Sequence, residues 1–303
     1  MKKDLLCVSD LEPASIWRIF KLSDEFTGSF EQKPLQNKNI LLFFEKPSLR
    51  TKVSFEVAIN QLGGSCLSLS DLEIGLGSRE EVRDVARVLS SYVDCIIARV
   101  FSHQKLIELA QYATIPVING LSDEAHPCQV LSDLYTIWKA KTELMDTSLS
   151  FIGDGSNNVA SSLMLACSMM GVNITVASPF GYCPRKDVLE KASRYARASG
   201  VLIKVTDDPE EAAKATDCIY TDVWTSMGQE AEKAQRIKAF SNFQINEKLL
   251  SLAKKDCLIM HCLPAHRGEE ITDSAIEGPN SIVFEQARNR LVVQRGILVY
   301  LLQ

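Results

Sequence analysis

The sequence predicts an α/β protein of two domains, each a parallel sheet flanked by helices. Short apolar runs alternate with helix-period segments almost from end to end, and that alternation implies parallel strands covered on both faces. A polar stretch at residues 140–148 interrupts the alternation and divides the chain. A length of 303 residues also suits two domains better than one, at roughly 100–200 residues each.

The elements follow in order. Asn39-Ile-Leu-Leu-Phe-Phe44 reads as a buried strand and residues 48–62 as the helix after it. Residues 94–98 form a second strand, 104–112 a helix, 116–119 a third strand, and about 126–141 a helix that runs into the polar break. The cycle restarts with a strand at 148–153, a helix at 158–171 and a strand at 172–177. Further strands are expected at 201–205, 217–221, 257–260 and 281–284, and a final helix at about 286–302. Ligands of open α/β sheets bind beyond the carboxyl ends of strands, so chemistry is expected just after these runs.

Composition narrows the class. Lys and Arg number 33 against 38 Asp and Glu, a net charge of −5, and 46% of residues are hydrophobic. That apolar content excludes a disordered chain. The mild acidity, without a long basic run, argues against nucleic acid as a partner. No segment approaches the roughly 20 apolar residues of a membrane span, and the N-terminus lacks the apolar stretch of a signal peptide. A cytoplasmic protein without membrane association is expected. Nine cysteines without a CxxC pair read as reduced, mostly buried thiols. His261, Cys262 and His266 lie close in sequence, but the spacing is not that of a zinc site, and no metal is expected.

Six segments could carry chemistry. After the first strand, Pro47-Ser48-Leu49-Arg50-Thr51-Lys52 brings free N–H groups, two hydroxyls and a guanidinium to a helix N-terminus. That suits a phosphate, or serves only as a cap with surface charge. Arg99 follows an apolar strand and is either exposed or aimed into a cleft. In His126-Pro127-Cys128-Gln129, proline suits a first helical turn, so His126 caps the helix or bonds a substrate oxygen. Gly153-Asp154-Gly155-Ser156-Asn157-Asn158 resembles a dinucleotide loop but lacks its third glycine. Ser178-Pro179 stands where the acidic residue would follow, so the asparagines read as polar groups for a small ligand. Asp222-Val-Trp-Thr-Ser226-Met227-Gly228 could hold the charged ends of an amino acid, or be a loop anchored by a buried Trp224. Met260-His261-Cys262-Leu263-Pro264 ends another strand with a thiol that is either a nucleophile or a ligand contact, and Arg290 follows later.

Taken together and in this order, SLRTK, ARVF, HPCQ, the Asn-Asn loop, DVWTSMG and HCLP resemble the carbamoyltransferases, from about residue 39 to the C-terminus, and within them the ornithine branch. That resemblance implies a carbamoyl-phosphate domain, residues 1–140 with the C-terminal helix 286–303 returning to it, and an ornithine domain, residues 141–285. It assigns Ser48, Leu49 (through its backbone), Arg50 and Thr51 to the phosphate. Arg99, His126 and Gln129 go to the carbamoyl group, and Cys262, Leu263 and Arg290 to further contacts with carbamoyl phosphate. Arg99, His126 and Cys262 are the implied catalytic residues. Asn158, Asp222, Ser226 and Met227 are the implied ornithine ligands. Homotrimers or multiples of trimers are implied; a cofactor and a covalent intermediate are not.

Two departures from the family pattern stand out. Lys52 replaces an arginine and loses the bidentate fork. Gly75, in Leu72-Glu73-Ile74-Gly75-Leu76-Gly77-Ser78, aligns where the family carries a glutamine that reaches a neighbouring subunit's substrate. Glu73 is no substitute, since a carboxylate repels phosphate. Other acceptors (N-acetylornithine, putrescine, aspartate) fit the Asp222–Gly228 segment less well, because putrescine lacks a carboxylate and acetylornithine a free α-amine. A non-catalytic binding homologue and a dehydrogenase are the competing classes.

Overall fold

The structure, a computed structural model, describes residues 3–26, 32–225 and 230–303. Its contacts divide the chain into one unit of Met1–Tyr135 with Arg288–Gln303 and a second of Thr136–Ala287.

In the first unit the sheet contains β1 (Asn39–Phe44), β2 (Ser65–Ser70), β3 (Cys95–Arg99) and β4 (Val117–Leu121), all parallel in the order β2-β1-β3-β4. β1 and β3 are continuous apolar runs because helices cover both faces. Leu41, Phe43, Ile96, Ala98 and Val117 pack against Val82, Val85, Leu106 and Leu109 of the helices Val82–Leu89 and His103–Tyr112. Chain order reverses between β1 and β3, which makes their carboxyl ends the switch point of this sheet.

The second unit repeats the plan with β5 (Ser148–Ile152), β6 (Asn173–Ala177), β7 (Ile203–Thr206), β8 (Cys218–Thr221) and β9 (Leu258–His261), parallel in the order β7-β6-β5-β8-β9. Its switch point lies between β5 and β8. The helix Asn158–Met170 is buried at every position from Val159 to Met170, in keeping with a segment of apolar and small residues on all sides, with the hydroxyls of Ser162 and Ser168 bonded back to the helix carbonyls.

Two expectations are corrected. Residues 281–284 do not form a strand: Ser281 makes one bridge to Ile259, and the helix Val283–Leu302 has begun two residues later. Val283 is buried and Phe284 exposed in the first turn of that helix, and so short an apolar run does not distinguish a helix start from a strand. β2, by contrast, was not expected. Ser-Cys-Leu-Ser-Leu-Ser is half-exposed at a sheet edge and lacks the apolar density of its neighbours.

The helix Val283–Leu302 reaches the helix Pro13–Glu25 so closely that only glycine fits at 296. A Cβ there would stand 2.5 Å from the Ile19 carbonyl and 3.0 Å from the Ser23 amide, both backbone atoms of the facing helix. Gly296→Ala is expected to cost about 1–3 kcal/mol through overpacking. Urea unfolding checks this; an unchanged midpoint would show that the helices can move apart freely.

Candidate active site

The first unit gathers its polar groups at the β1/β3 switch point. Ser48, with extended backbone (φ −156°, ψ 111°), caps the helix Leu49–Gln61 by accepting a 3.3 Å bond from the Thr51 amide. Leu49 is 74% exposed and its side chain has no polar atom, so any hydrogen bond it offers a ligand comes from its backbone. Thr51 is buried, and its hydroxyl accepts from Arg290 Nη2 at 2.9 Å and Arg99 Nη1 at 3.4 Å. Residues 51, 99 and 290, far apart in sequence, thus meet at one oxygen beside the N-terminus of a helix, a setting that favours an anion.

His126 is 4% exposed and precedes the helix Pro127–Lys141. Burial, then the charges of Arg290, Arg99 and Lys46, holds its pKa well below the ordinary 6.5, so the ring is neutral at pH 7. Gln129 is also buried and donates its amide at 2.8 Å to Asp133. Lys46, buried beside this cluster, lies 4.6 Å from the centre of the Phe101 ring, and burial followed by Arg99 lowers its pKa. Arg50 is half-buried at the same helix start.

The two departures resolve structurally. Lys52 is half-exposed, 4.0 Å from Glu56 one turn on. Gly75 ends the helix Asp71–Ile74 in the left-handed region (φ 65°, ψ 49°), where a Cβ would come within 2.7 Å of the Arg79 Cβ. A longer residue is therefore strained at 75. Glu73 folds back to accept from the Ser70 amide and hydroxyl, each at 2.7 Å, which lowers its pKa and commits it to capping.

In the second unit the β5 and β8 loops meet at Asp222. Its Oδ1 accepts from the Cys262 thiol at 2.9 Å and the Val223 amide at 2.8 Å, and its Oδ2 from Asn157 Nδ2 at 3.2 Å. Burial pushes the Asp222 carboxyl above its ordinary value. Asn157 also caps the helix Asn158–Met170 through Oδ1, 2.7 Å from the Ala160 amide. The asparagine joined to Asp222 is therefore 157; Asn158 is the first helical residue. Ser226 and Met227 lie outside the described residues.

Cys262 and Leu263 follow β9. The Leu263 amide donates at 2.8 Å to His261 Nδ1, so Nε2 carries the ring proton and donates at 3.0 Å to Glu270. That buried pair holds Leu263 at a positive φ of 57°, a conformation that costs a non-glycine residue about 1–3 kcal/mol. The ligand atoms of Asp222, His261 and Cys262 lie within 4.8 Å of one another, yet each of the three side chains is engaged in the hydrogen bonds above. Asp154, in the loop that resembled a dinucleotide site, is ion-paired at 2.7 Å with buried Arg236, which also bonds the Trp224 carbonyl at 2.9 Å. That pair braces the loop; Trp224, in the segment after β8, is buried and stacked on Phe240.

Comparison with known proteins bears on the whole chain. The aspartate/ornithine carbamoyltransferase carbamoyl-P binding domain matches residues 3–139, and the Asp/Orn binding domain matches residues 145–301. The chain belongs to the aspartate/ornithine carbamoyltransferase family. The ornithine carbamoyltransferase of Anoxybacillus flavithermus is 49% identical over 99% of this chain and 96% of its own. That of Bacillus subtilis is 50% identical over 98% and 92%. Among solved structures, the ornithine carbamoyltransferase of Pyrococcus furiosus superposes with a TM-score of 0.96 at 47% identity, covering 99% of this chain and 97% of that one. Membership agrees with the order of motifs in the sequence. The contacts of Asn157, Asp133, His261 and Glu270 were not among the sequence expectations; for Asp133 the four-residue spacing from Gln129 was the available signal.

A depressed pKa at His126 has a readable consequence. Its imidazole should show no titration between pH 6 and 8 by NMR. Stability should fall as pH drops below about 6.5, where the unfolded chain binds a proton that the folded site refuses. A midpoint near 6.5 in the folded protein would contradict the buried, cation-flanked setting.

Proposed function

We propose that this chain is an ornithine carbamoyltransferase, transferring the carbamoyl group of carbamoyl phosphate to the δ-amine of L-ornithine to give L-citrulline and phosphate. The observation that carries the reading is the pairing of Asp222 with Cys262 and Asn157 in the second unit, in a chain whose relatives across its full length are ornithine carbamoyltransferases.

In this reading the first unit takes up carbamoyl phosphate. Ser48, the Leu49 backbone, Arg50, Thr51 and Arg290 bind the phosphate. Arg99 and neutral His126 point donors at the carbonyl oxygen, a kind of stabilisation worth about 3–4 kcal/mol per donor in a tetrahedral intermediate. Gln129 binds the carbamoyl amine. Cys262 and Leu263 complete the contacts, Leu263 through its carbonyl, since its amide is committed to His261.

Ornithine is bound by Asp222, Asn158, Ser226 and Met227. Its δ-amine has a solution pKa near 10.4, so about one molecule in 10³ is neutral at pH 7. The site must take up that amine uncharged, with Asp222 and Cys262 nearby. The amine nitrogen attacks the carbonyl carbon, the tetrahedral intermediate collapses, and the C–O bond to phosphate breaks. The amine proton leaves on a phosphate oxygen, so the step needs neither a separate general acid nor a covalent enzyme intermediate.

Homotrimers, or multiples of trimers, and a cytoplasmic location belong to the same proposal. Among the described residues, no helix is long and apolar enough to cross a membrane. The test is citrulline formation from carbamoyl phosphate and ornithine, with N-acetylornithine, putrescine and aspartate as parallel acceptors. Turnover with ornithine alone is the expected result. Turnover with another acceptor in preference would overturn the assignment, and carbamoyl-phosphate binding without any turnover would make the chain a binding protein.

A further inference from the structure

A glutamine amide can present either end to a ligand, and the two ends have opposite chemistry: Nε2 donates two hydrogen bonds and Oε1 only accepts. Gln129 is 1% exposed, on the helix Pro127–Lys141 one turn from His126. Residues three and four apart share a helix face, so His126, Gln129 and Asp133 form one row. Asp133 is fully buried, and its Oδ1 receives Gln129 Nε2 at 2.8 Å.

The nitrogen end of Gln129 faces Asp133 and donates to its carboxyl oxygen. The amide is thereby locked with Oε1 as the end left for a ligand. In the described residues that buried oxygen has no hydrogen-bond partner, and an unmade buried bond costs about 1–3 kcal/mol. An acceptor held in this way demands a donor.

We infer that Asp133 is a positioning residue that sets acyl specificity: by fixing the orientation of the Gln129 amide, it makes the site select an acyl phosphate bearing –NH₂ over one bearing a methyl group. Carbamoyl and acetyl phosphate are nearly the same size, so shape alone discriminates poorly between them. An acceptor left unpaired by the methyl group discriminates well, as in sites built to hydrogen-bond an N–H or O–H of their substrate. The inference rests on the reading of the first unit as the carbamoyl-phosphate domain, and it adds that the choice of acyl group is made one helical turn beyond the ligand, at a residue that need not touch it.

The experiment compares dissociation constants for carbamoyl phosphate and acetyl phosphate in the unsubstituted protein and in Asp133→Asn. Asparagine can offer Gln129 either a donor or an acceptor, which frees the amide to turn. The preference for carbamoyl over acetyl phosphate is expected to shrink about tenfold, with Asp133→Glu retaining more of it than Asp133→Asn. In a Gln129→Ala background, Asp133→Asn should leave the ratio unchanged. A general loss of stability would weaken both ligands together without moving their ratio. A ratio unaltered by Asp133→Asn, or altered equally in the Gln129→Ala background, would overturn the inference and leave the proposed function standing. Failure of the unsubstituted protein to bind carbamoyl phosphate would overturn both. If Asp133→Asn does not fold, neutron diffraction from the unsubstituted protein decides: deuterium is expected on the Gln129 atom facing Asp133, and its absence there would contradict the lock.

Discussion

The first unit is organised around one hydroxyl. Thr51 Oγ1 accepts from a guanidinium at the end of β3 and from another on the C-terminal helix, and Thr51 itself lies in the first turn after a Ser48 cap. Two arginine side chains converging on a neutral oxygen repel one another, and burial strengthens that repulsion. Such an arrangement persists only because the fold determines each partner separately: β3 by its apolar pairing with β1, the C-terminal helix by its glycine contact with the helix Pro13–Glu25. What it offers in return is a preorganised field for a dianion, already extended by Lys46 and the helix N-terminus. Burial, together with the same field, keeps His126 neutral, so in the proposed reaction it would donate to the carbonyl oxygen as imidazole.

The second unit uses the opposite sign at the equivalent place in its sheet. Asp222 stands at the β5/β8 switch point, buried, and is held by a thiol, a backbone amide and the capping Asn157. A carboxyl held in this way is fixed in orientation while its charge is disfavoured by burial. Those properties suit a group that, in the proposed function, binds an amino acid through hydrogen bonds of fixed direction. The parallel-sheet plan thus builds two polar centres of complementary charge from the same topological feature.

Much of this was legible in the sequence. β1, β3, β5, β8 and β9 are apolar runs followed at once by the chemical segments, and the order of those segments carried the family resemblance. β2 was missed because its serines dilute the apolar signal at a sheet edge, and residues 281–284 were misread because a short apolar run fits the start of a helix equally well. At the site, spacing could indicate Thr51, Arg99 and Arg290 individually but not their common hydroxyl, since three distant segments meet only through tertiary packing. The same holds for Asp154, in a loop that resembles a dinucleotide site without its third glycine: its ion-pair partner Arg236 is distant in sequence. Gly75 is different again: it marks a departure from the family pattern, and its left-handed turn explains why a side chain is strained there.

The central claim is that the hydroxyl shared by Arg99 and Arg290 organises phosphate binding, and calorimetric titration of carbamoyl phosphate in the absence of ornithine tests it most directly. Thr51→Val keeps the volume and removes the shared acceptor from buried Arg290 and half-buried Arg99. A 10–100-fold loss of affinity is expected, on the scale of about 1–3 kcal/mol for a buried bond left unmade. An affinity equal to that of the unsubstituted protein would contradict the claim, since the arginines would then be held in place by something other than Thr51.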